Sequence, residues 1–153
     1  MNIQYPLTLL YDAACAVCSL EMDHLRQRDA AGRLRFVDIA APGFDAADLH
    51  TTLPALNALL HAVQADGRVL IGLPALRAAY AAVGLGWVMA PTGFGPLAPL
   101  ADAAYRGFAR HRLPISRAAA PLIDALRGWR ARRTLARMAR CQAGACRVDE
   151  EGA

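Results

Sequence analysis

The chain has 153 residues, a length that suits one domain with a substantial core and is short for two. It is 56% hydrophobic and 20% charged, a balance that excludes an intrinsically disordered protein. All 17 basic residues are arginines and they concentrate late in the chain: residues 1–105 hold six arginines and nine acids, whereas residues 106–153 hold eleven arginines and four acids.

The first residues predict a β–α–β unit. Leu7–Tyr11 is a short apolar run typical of a buried strand. From about Cys15 the apolar positions recur every three to four residues, which predicts a helix that closes near Gly32. Leu34–Ile39 then alternates apolar and polar side chains, as a second strand does. A crossover of this kind implies that the two strands are parallel.

The middle of the chain predicts a helix, a β-hairpin and another helix. Asp66 and Gly67 lie between two β-like runs, and this dipeptide is a strong hairpin signal because both central residues of such a turn need positive φ. Pro74 suits the beginning of the second helix. The four predicted elements are a helix at Leu53–Leu59, strands at Leu60–Gln64 and Arg68–Ile71, and a helix from Gly72 to about Val83. This order predicts a thioredoxin-like α/β fold, a mixed sheet flanked by helices.

The last third predicts a loop followed by helices. Gly84–Pro99 is rich in glycine and proline and is interpreted as a loop with little regular structure. Helices are predicted at Leu100–His111 and Arg117–Ala139, with a flexible tail from Cys141 on. We therefore divide the chain into a thioredoxin-like domain, residues 1–117, and a basic C-terminal helix with its tail, residues 118–153, which belongs to the same domain or is appended to it.

Cys15 and Cys18 form a C-x-x-C motif where the first strand ends and the first helix begins. The first turn of a helix has free backbone N–H groups and the positive end of the helix dipole, which stabilise a thiolate by about 0.3–1 kcal/mol when it is exposed and up to roughly 2 kcal/mol when it is partly buried. We therefore predict that Cys15 is the attacking thiol. Cys18, one turn further into the helix, is predicted to resolve the mixed disulfide.

Asp12 lies three residues before Cys15, and two roles compete for it. It is either a proton handler for the dithiol or a carboxylate that caps the helix, and capping is slightly favoured because aspartate is a preferred N-cap residue. An ionised carboxylate beside Cys15 would oppose thiolate formation, so the two roles differ in a testable way. The candidate catalytic residues are therefore Cys15, Cys18 and Asp12, and we expect neither a cofactor nor a metal.

From the sequence we expect neither a targeting segment nor a membrane-spanning one. The start of the chain lacks a charged region followed by a long apolar one, and the most apolar stretch, Val69–Ala90, is interrupted by Pro74, Arg77 and several glycines. We therefore expect a cytoplasmic protein. In that compartment a close cysteine pair is more often catalytic or metal-binding than a structural disulfide.

The stretch Leu10–Cys18, which reads LYDAACAVC, resembles the opening of the DCC family of thiol-disulfide oxidoreductases, where the pattern is usually Tyr-Asp-Gly-x-Cys-x-x-Cys. Further agreement comes from Leu34–Asp38, from Asp66–Val69 followed by Gly72 and Ala75, and from Ala104–Arg106 leading to Ala109–Arg112. The resemblance extends over about residues 7–117. It implies a thioredoxin-like fold and a redox-active dithiol at Asp12, Cys15 and Cys18.

The chain departs from the family pattern in two places. Ala13 stands where the family usually has glycine, so a turn that favours glycine must form without it. Thioredoxin relatives place a cis-proline just before the third strand, whereas residues 59–61 contain no proline and Pro74 follows the hairpin. The resemblance therefore supports the fold more strongly than the mode of substrate binding.

A second cysteine pair, Cys141 and Cys146, lies near the C-terminus. Three interpretations stay open: incidental thiols in a tail, an accessory disulfide that relays electrons to Cys15 and Cys18, or two of four ligands in a zinc site. Spacing alone favours the first and disfavours zinc, because a C-x-x-C that opens a helix is a less typical zinc knuckle.

The function predicted from these residues is enzymatic thiol–disulfide exchange between the Cys15/Cys18 dithiol and a disulfide-containing protein or small thiol. The electron donor is not predicted. A competing hypothesis is a non-catalytic module that binds zinc, anionic lipid or nucleic acid, the last two through the basic helix Ala118–Arg140. No recognisable nucleic-acid motif accompanies that helix, and its docking on the sheet is the favoured interpretation.

Overall fold

A computed structural model describes residues 3–46, 49 and 51–142, with side chains up to residue 139. Four strands form one sheet, and they are β1 (Leu7–Tyr11), β2 (Leu34–Asp38), β3 (His61–Val63) and β4 (Val69–Ile71). The helices are α1 (Ala16–Arg28), α2 (Leu53–Ala58), α3 (Leu73–Ala82), α4 (Gly86–Met89) and α5 (Ala98–Gln142), with a 3₁₀ turn at Ala90–Gly93. Among the described residues, no helix combines the length and the apolar character needed to cross a bilayer.

The sheet has the strand order β2-β1-β3-β4. β1 pairs in parallel with β2 and antiparallel with β3, and β3 pairs antiparallel with β4. The predicted hairpin between β3 and β4 is confirmed: Gln64 N–H donates to the Arg68 carbonyl at 2.8 Å, and Gly67 has a φ of 84°. Parallel β1 and β2 joined by α1, followed by this hairpin and α3, make the fold thioredoxin-like, as the sequence predicted.

Two apolar clusters cover the two faces of the sheet, because side chains alternate along β1. Leu7 and Leu9 point to one face, where they pack with Met22 and Leu25 of α1. Four alanines of α3 complete that cluster and let this helix approach the sheet closely: Ala75, Ala78, Ala79 and Ala82. Leu10 points to the other face and packs with Leu56 of α2. The sheet therefore lies between α1 and α3 on one side and α2 on the other.

The C-terminal part differs from the prediction. Residues 84–99 contain α4 and the 3₁₀ turn rather than loop alone, and the two predicted helices are one continuous helix, α5, which extends to Gln142. Pro114 and Pro121 lie inside α5, and each deprives the carbonyl four residues earlier of its helical partner. Those carbonyls belong to the exposed residues Arg110 and Arg117, where water can satisfy them, so the helix continues.

One stripe of α5 faces the rest of the molecule. Its buried residues Ala109, Ser116 and Ile123 recur every seven positions, which is two helical turns. As a whole, α5 packs mainly against α1 and next against the 3₁₀ turn, rather than docking on the sheet as the sequence predicted. α5 also runs without a break through the predicted domain boundary at residues 117 and 118. The helix thereby crosses the end of α1 that carries the C-x-x-C motif.

Candidate active site

Cys15 and Cys18 are joined by a disulfide across the first turn of α1, with their Cα atoms 5.2 Å apart. Cys15 is the N-cap of this helix, and its sulfur accepts a hydrogen bond from the Cys18 backbone N–H at 3.3 Å. A negative charge on Cys15 would thus meet a donor and the positive end of the helix dipole. The predicted placement of the pair at a strand–helix junction is confirmed.

The two cysteines differ in accessibility. Cys15 is 0% exposed, whereas Cys18 is partly exposed. Cys18 also forms part of the wall of a cavity, and Cys15 does not. In the disulfide form, Cys18 is therefore the more accessible of the two sulfurs, and accessibility is one of the properties that a reacting cysteine needs.

Asp12 organises the turn between β1 and α1. Its Oδ1 accepts a hydrogen bond from Ala14 N–H at 2.9 Å, and its backbone carbonyl accepts one from Cys15 N–H at 3.2 Å. Asp38, at the end of β2, supports the same turn by accepting from Ala13 N–H at 3.0 Å. These bonds show how the turn forms without the usual glycine. The predicted capping of α1 by Asp12 is wrong in detail, because Cys15 occupies the N-cap.

Sequence reasoning missed Arg112 as a residue of the site. Its Nη2 lies 3.3 Å from Asp12 Oδ2, and the two side chains are only 11% and 10% exposed. The same nitrogen donates to Asn57 Oδ1 at 3.1 Å. Its spacing could have indicated this position, because Arg112 lies three residues after Ala109 and four before Ser116. Residues at these separations share one face of a helix, so Arg112 belongs to the buried stripe of α5.

Ser116 was also missed. This serine is only 3% exposed, and its Oγ accepts a hydrogen bond from the Val17 backbone N–H at 3.4 Å. Val17 lies in the first turn of α1, where N–H groups have no partner within the helix. α5 therefore covers the beginning of α1 next to Cys15.

A cavity of about 270 Å³ opens beside Cys18. Its lining is mostly apolar and comes from β1, α1, α2, α3 and α5, with leucines at positions 10, 56, 59, 60 and 76 and with Val17, Met22 and Phe108. The lining residues with polar groups, besides Cys18, are Tyr11, Asp12, Glu21, Tyr105 and Arg112. Among the described residues, Cys18 is thus the one cysteine on the wall of a mostly apolar cavity with few charges.

Two of these polar groups have distinctive surroundings. Tyr105 Oη accepts a hydrogen bond from Leu60 N–H, just before β3, at 3.1 Å. Burial raises the pKa of Tyr105, although the Leu60 hydrogen bond and the charge of Arg112 act in the opposite direction. Glu21, one turn after Cys18 on α1, has an Oε1 that is buried without a hydrogen-bond partner among the described residues. The region before β3, where thioredoxins carry a cis-proline, is here made of leucines tied to α5.

The described residues contain no group of three or more histidine, cysteine or acidic side chains that could hold a metal ion. The zinc and relay hypotheses depend on Cys141 and Cys146, and the Cys141 side chain and the whole of Cys146 lie outside the described part of the structure. The last turns of α5 are exposed and basic, with Arg133 stacked over Trp129 at 4.5 Å from the ring centre.

Comparison with known proteins identifies a family and a curated relative. A family model described as DCC1-like thiol-disulfide oxidoreductase matches residues 9–118. A curated relative from Arabidopsis thaliana, "Uncharacterized protein At5g50100, chloroplastic", is 35% identical over 124 residues, which is 80% of this chain and 57% of the relative. The chain therefore spans little more than half of that relative's length. No solved structure matches the chain.

Proposed function

Because the chain belongs to the DCC1-like thiol-disulfide oxidoreductase family, we propose that it catalyses thiol–disulfide exchange with Cys15 and Cys18 as its redox centre. The observation that carries the proposal is the pairing of these two sulfurs across the first turn of α1, beside an open cavity. The substrate class is a protein disulfide or a small thiol or disulfide, and the electron donor is left unassigned.

The chemistry follows from the position of Cys15 at the N-cap. When the pair is oxidised, attack by a substrate thiolate breaks the Cys15–Cys18 bond and leaves one cysteine as a thiolate. When the pair is reduced, one of its thiolates attacks a substrate disulfide and the other cysteine resolves the mixed disulfide. The Cys18 N–H and the helix dipole stabilise charge on Cys15. Cys15 therefore leaves readily when the disulfide is attacked at Cys18, and a larger fraction of it is thiolate when the pair is reduced.

Asp12 is proposed as the residue that handles the proton of the dithiol. Asp12 is 8% exposed, and its Oδ1 accepts a hydrogen bond from the Ala14 backbone N–H. It also lines the same cavity as Cys18. Asp12→Asn keeps an oxygen acceptor for Ala14 but removes the charge. A changed pH profile of the exchange rate at unchanged folding would support this role, whereas a profile identical to that of the parent would contradict it.

The decisive experiment for the function compares Cys15→Ser and Cys18→Ser with the parent in a dithiol-dependent disulfide reduction assay. We expect each substitution to abolish turnover, because a single thiol cannot close the cycle. A Cys141→Ser/Cys146→Ser double variant is the matched control, and it also tests the relay hypothesis: retention of the full rate excludes a relay. Equal activity of Cys15→Ser and the parent would refute the proposed function.

For the location, we propose the cytoplasm predicted from the sequence, and the plastid is the competing proposal because the Arabidopsis relative is named as chloroplastic. Cell fractionation of the source organism, with the protein followed by antibody, distinguishes the two.

A further inference from the structure

The difference in accessibility between the two sulfurs bears on where a substrate reacts. Cys15 is 0% exposed. The helix α5 covers the first turn of α1, next to Cys15, and is held there by the hydrogen bond from Val17 N–H to Ser116 Oγ. The Asp12–Arg112 pair holds the same helix over the preceding turn. An incoming thiolate must approach along the axis of the disulfide, so it needs free space on the side of the sulfur that it attacks. Of the two cysteines, Cys18 lines the cavity and the buried Cys15 does not.

The shape and chemistry of that space indicate what enters it. Its volume is about 270 Å³, whereas an apolar cavity of about 150 Å³ is enough to hold benzene. Leucines 56, 59, 60 and 76 and Phe108 line it, and the one cation on its wall, Arg112, is already paired with Asp12 and Asn57. A compact apolar group is therefore favoured over an anionic or strongly hydrated one.

We propose that this cavity is a substrate site for low-molecular-weight thiols that carry an apolar body about the size of one ring, and that such thiols exchange at Cys18 rather than at Cys15. The inference rests on the proposed exchange function and reverses the order of attack predicted from the sequence. The apolar body lies among the leucines, and its sulfur meets Cys18 at the cavity wall.

The half-reaction is balanced by the protein's own disulfide. The substrate thiolate forms a bond to Cys18 Sγ while the Cys15–Cys18 bond breaks, and the electron pair of that bond stays on Cys15 as a thiolate at the N-cap. A second substrate thiolate then attacks the substrate sulfur of the mixed disulfide, and Cys18 leaves as a thiolate. Two substrate thiols have become one disulfide, and the Cys15/Cys18 pair has gained two electrons. The two thiolates then take up protons from solvent to the extent that the solution pH sets.

The first test maps the mixed disulfide. The oxidised full-length chain is mixed with benzyl thiol, quenched within milliseconds to seconds with excess N-ethylmaleimide, and digested with trypsin. Tandem mass spectrometry of the peptide ending at Arg26 then shows which cysteine carries which group. We expect the benzylthio group on Cys18 and the maleimide on Cys15. The opposite assignment would overturn the proposal.

The second test measures the preference for an apolar body. Reduction of the oxidised chain by benzyl thiol is compared with reduction by 2-mercaptoethanesulfonate at equal thiolate concentration. We expect benzyl thiol to react about tenfold faster or more, because its ring is removed from water in the cavity. Equal rates would contradict the apolar site.

A cavity-filling variant checks that the preference arises in this cavity. Leu76→Trp places a larger side chain into it from α3 and should bring the ratio of the two rates close to one, whereas Leu100→Trp, at a position 69% exposed, should leave the ratio unchanged. Leu60→Phe serves the same purpose if Leu76→Trp does not fold. A preserved ratio in a folded cavity-filling variant would overturn the proposal.

The outcomes separate this inference from the function on which it rests. An adduct on Cys15, or no preference for benzyl thiol, refutes the cavity site and leaves thiol–disulfide exchange standing. A disulfide that excess thiol does not reduce in the folded protein, with no adduct on either cysteine, refutes both.

Discussion

Arg112 Nη2 lies 3.3 Å from Asp12 Oδ2 and so joins two residues that are 100 positions apart in the chain. The two side chains are 11% and 10% exposed, so water screens the pair weakly. Through this contact the long C-terminal helix is tied to the turn between β1 and α1 that leads to Cys15. The stability of the site and the position of α5 are thereby coupled.

Replacing Arg112 should destabilise the protein strongly. Arg112→Met keeps most of the apolar stem but leaves the Asp12 carboxylate buried without its cation, and we expect a loss of about 3 kcal/mol in the free energy of unfolding. Urea unfolding of Arg112→Met, Asp12→Asn and the double variant gives the coupling between the two side chains. Arg110→Met, on the exposed side of the same helix, is the control and should change stability by less than about 0.5 kcal/mol. Additive single effects would contradict a coupled pair.

Ser116→Ala should loosen the contact between α5 and α1. The substitution removes the Oγ that accepts from Val17 N–H and leaves that donor beside the helix with no acceptor, at a cost of about 1–3 kcal/mol. Hydrogen exchange of the Val17 amide, followed by NMR, should become faster. Thr134→Ala, at an exposed position of α5 whose hydroxyl donates to the Arg130 carbonyl of the same helix, should leave this exchange rate unchanged. Unaltered protection of Val17 in Ser116→Ala would show that the bond contributes nothing.

Gly72→Ala should destabilise the junction between β4 and α3. Gly72 has φ 72° and ψ −134°, a conformation that residues with a Cβ rarely adopt, and an added Cβ would lie 3.4 Å from Tyr105 Cε1. We expect a loss of about 1–3 kcal/mol, measured by thermal or urea unfolding. Gly67→Ala is the matched control, since it has φ 84° and no atom within 4 Å of the added Cβ. Its expected loss is about 1–2 kcal/mol from the backbone alone. A larger loss in Gly67→Ala would contradict the role of the Tyr105 contact.

The stability of the protein should fall at alkaline pH, in part through Tyr80. Burial raises the pKa of Tyr80 above its ordinary value of 10.0, and the hydrogen bond and charge of Glu21 raise it further, against a smaller opposing effect of Arg28. The folded chain thus holds this proton more tightly than the unfolded chain. The stabilisation that the Tyr80 proton contributes is fully present below about pH 10, the pKa of tyrosine in the unfolded chain. It is lost as the pH rises above that value, because the unfolded chain then binds fewer protons than the folded chain.

Glu21→Gln should make this alkaline loss shallower, because it removes the charge that disfavours the tyrosinate. Urea midpoints measured between about pH 9 and 11 give the slope, and the Tyr80 ring-carbon shift in NMR gives the pKa itself. In a Tyr80→Phe background the Glu21 substitution should no longer change the slope. A Tyr80 pKa that is unaffected by Glu21→Gln would refute the interaction.

Much of the fold was accessible from local patterns. The apolar run Leu7–Tyr11, the Asp66-Gly67 turn and the spacing of apolar residues after Cys15 are each local patterns. The corresponding elements are present, and the bounds of the strands differ from the predicted ones by one residue at most. The continuity of α5 was harder to predict, because a proline usually ends a helix. In α5 the carbonyls that the prolines leave without a helical partner belong to exposed residues and can reach water, so the helix continues.

Local patterns are enough to place a dithiol at the junction of a strand and a helix in a thioredoxin-like sheet, because periodicity, turn chemistry and the C-x-x-C spacing act over short distances. Three features of the site come from long-range packing instead: Cys18 lines the cavity, Arg112 pairs with Asp12, and Ser116 covers the first turn of α1. These features depend on the path of α5 across the domain. Contacts between residues about a hundred positions apart arise from packing of the whole core, which no local pattern encodes.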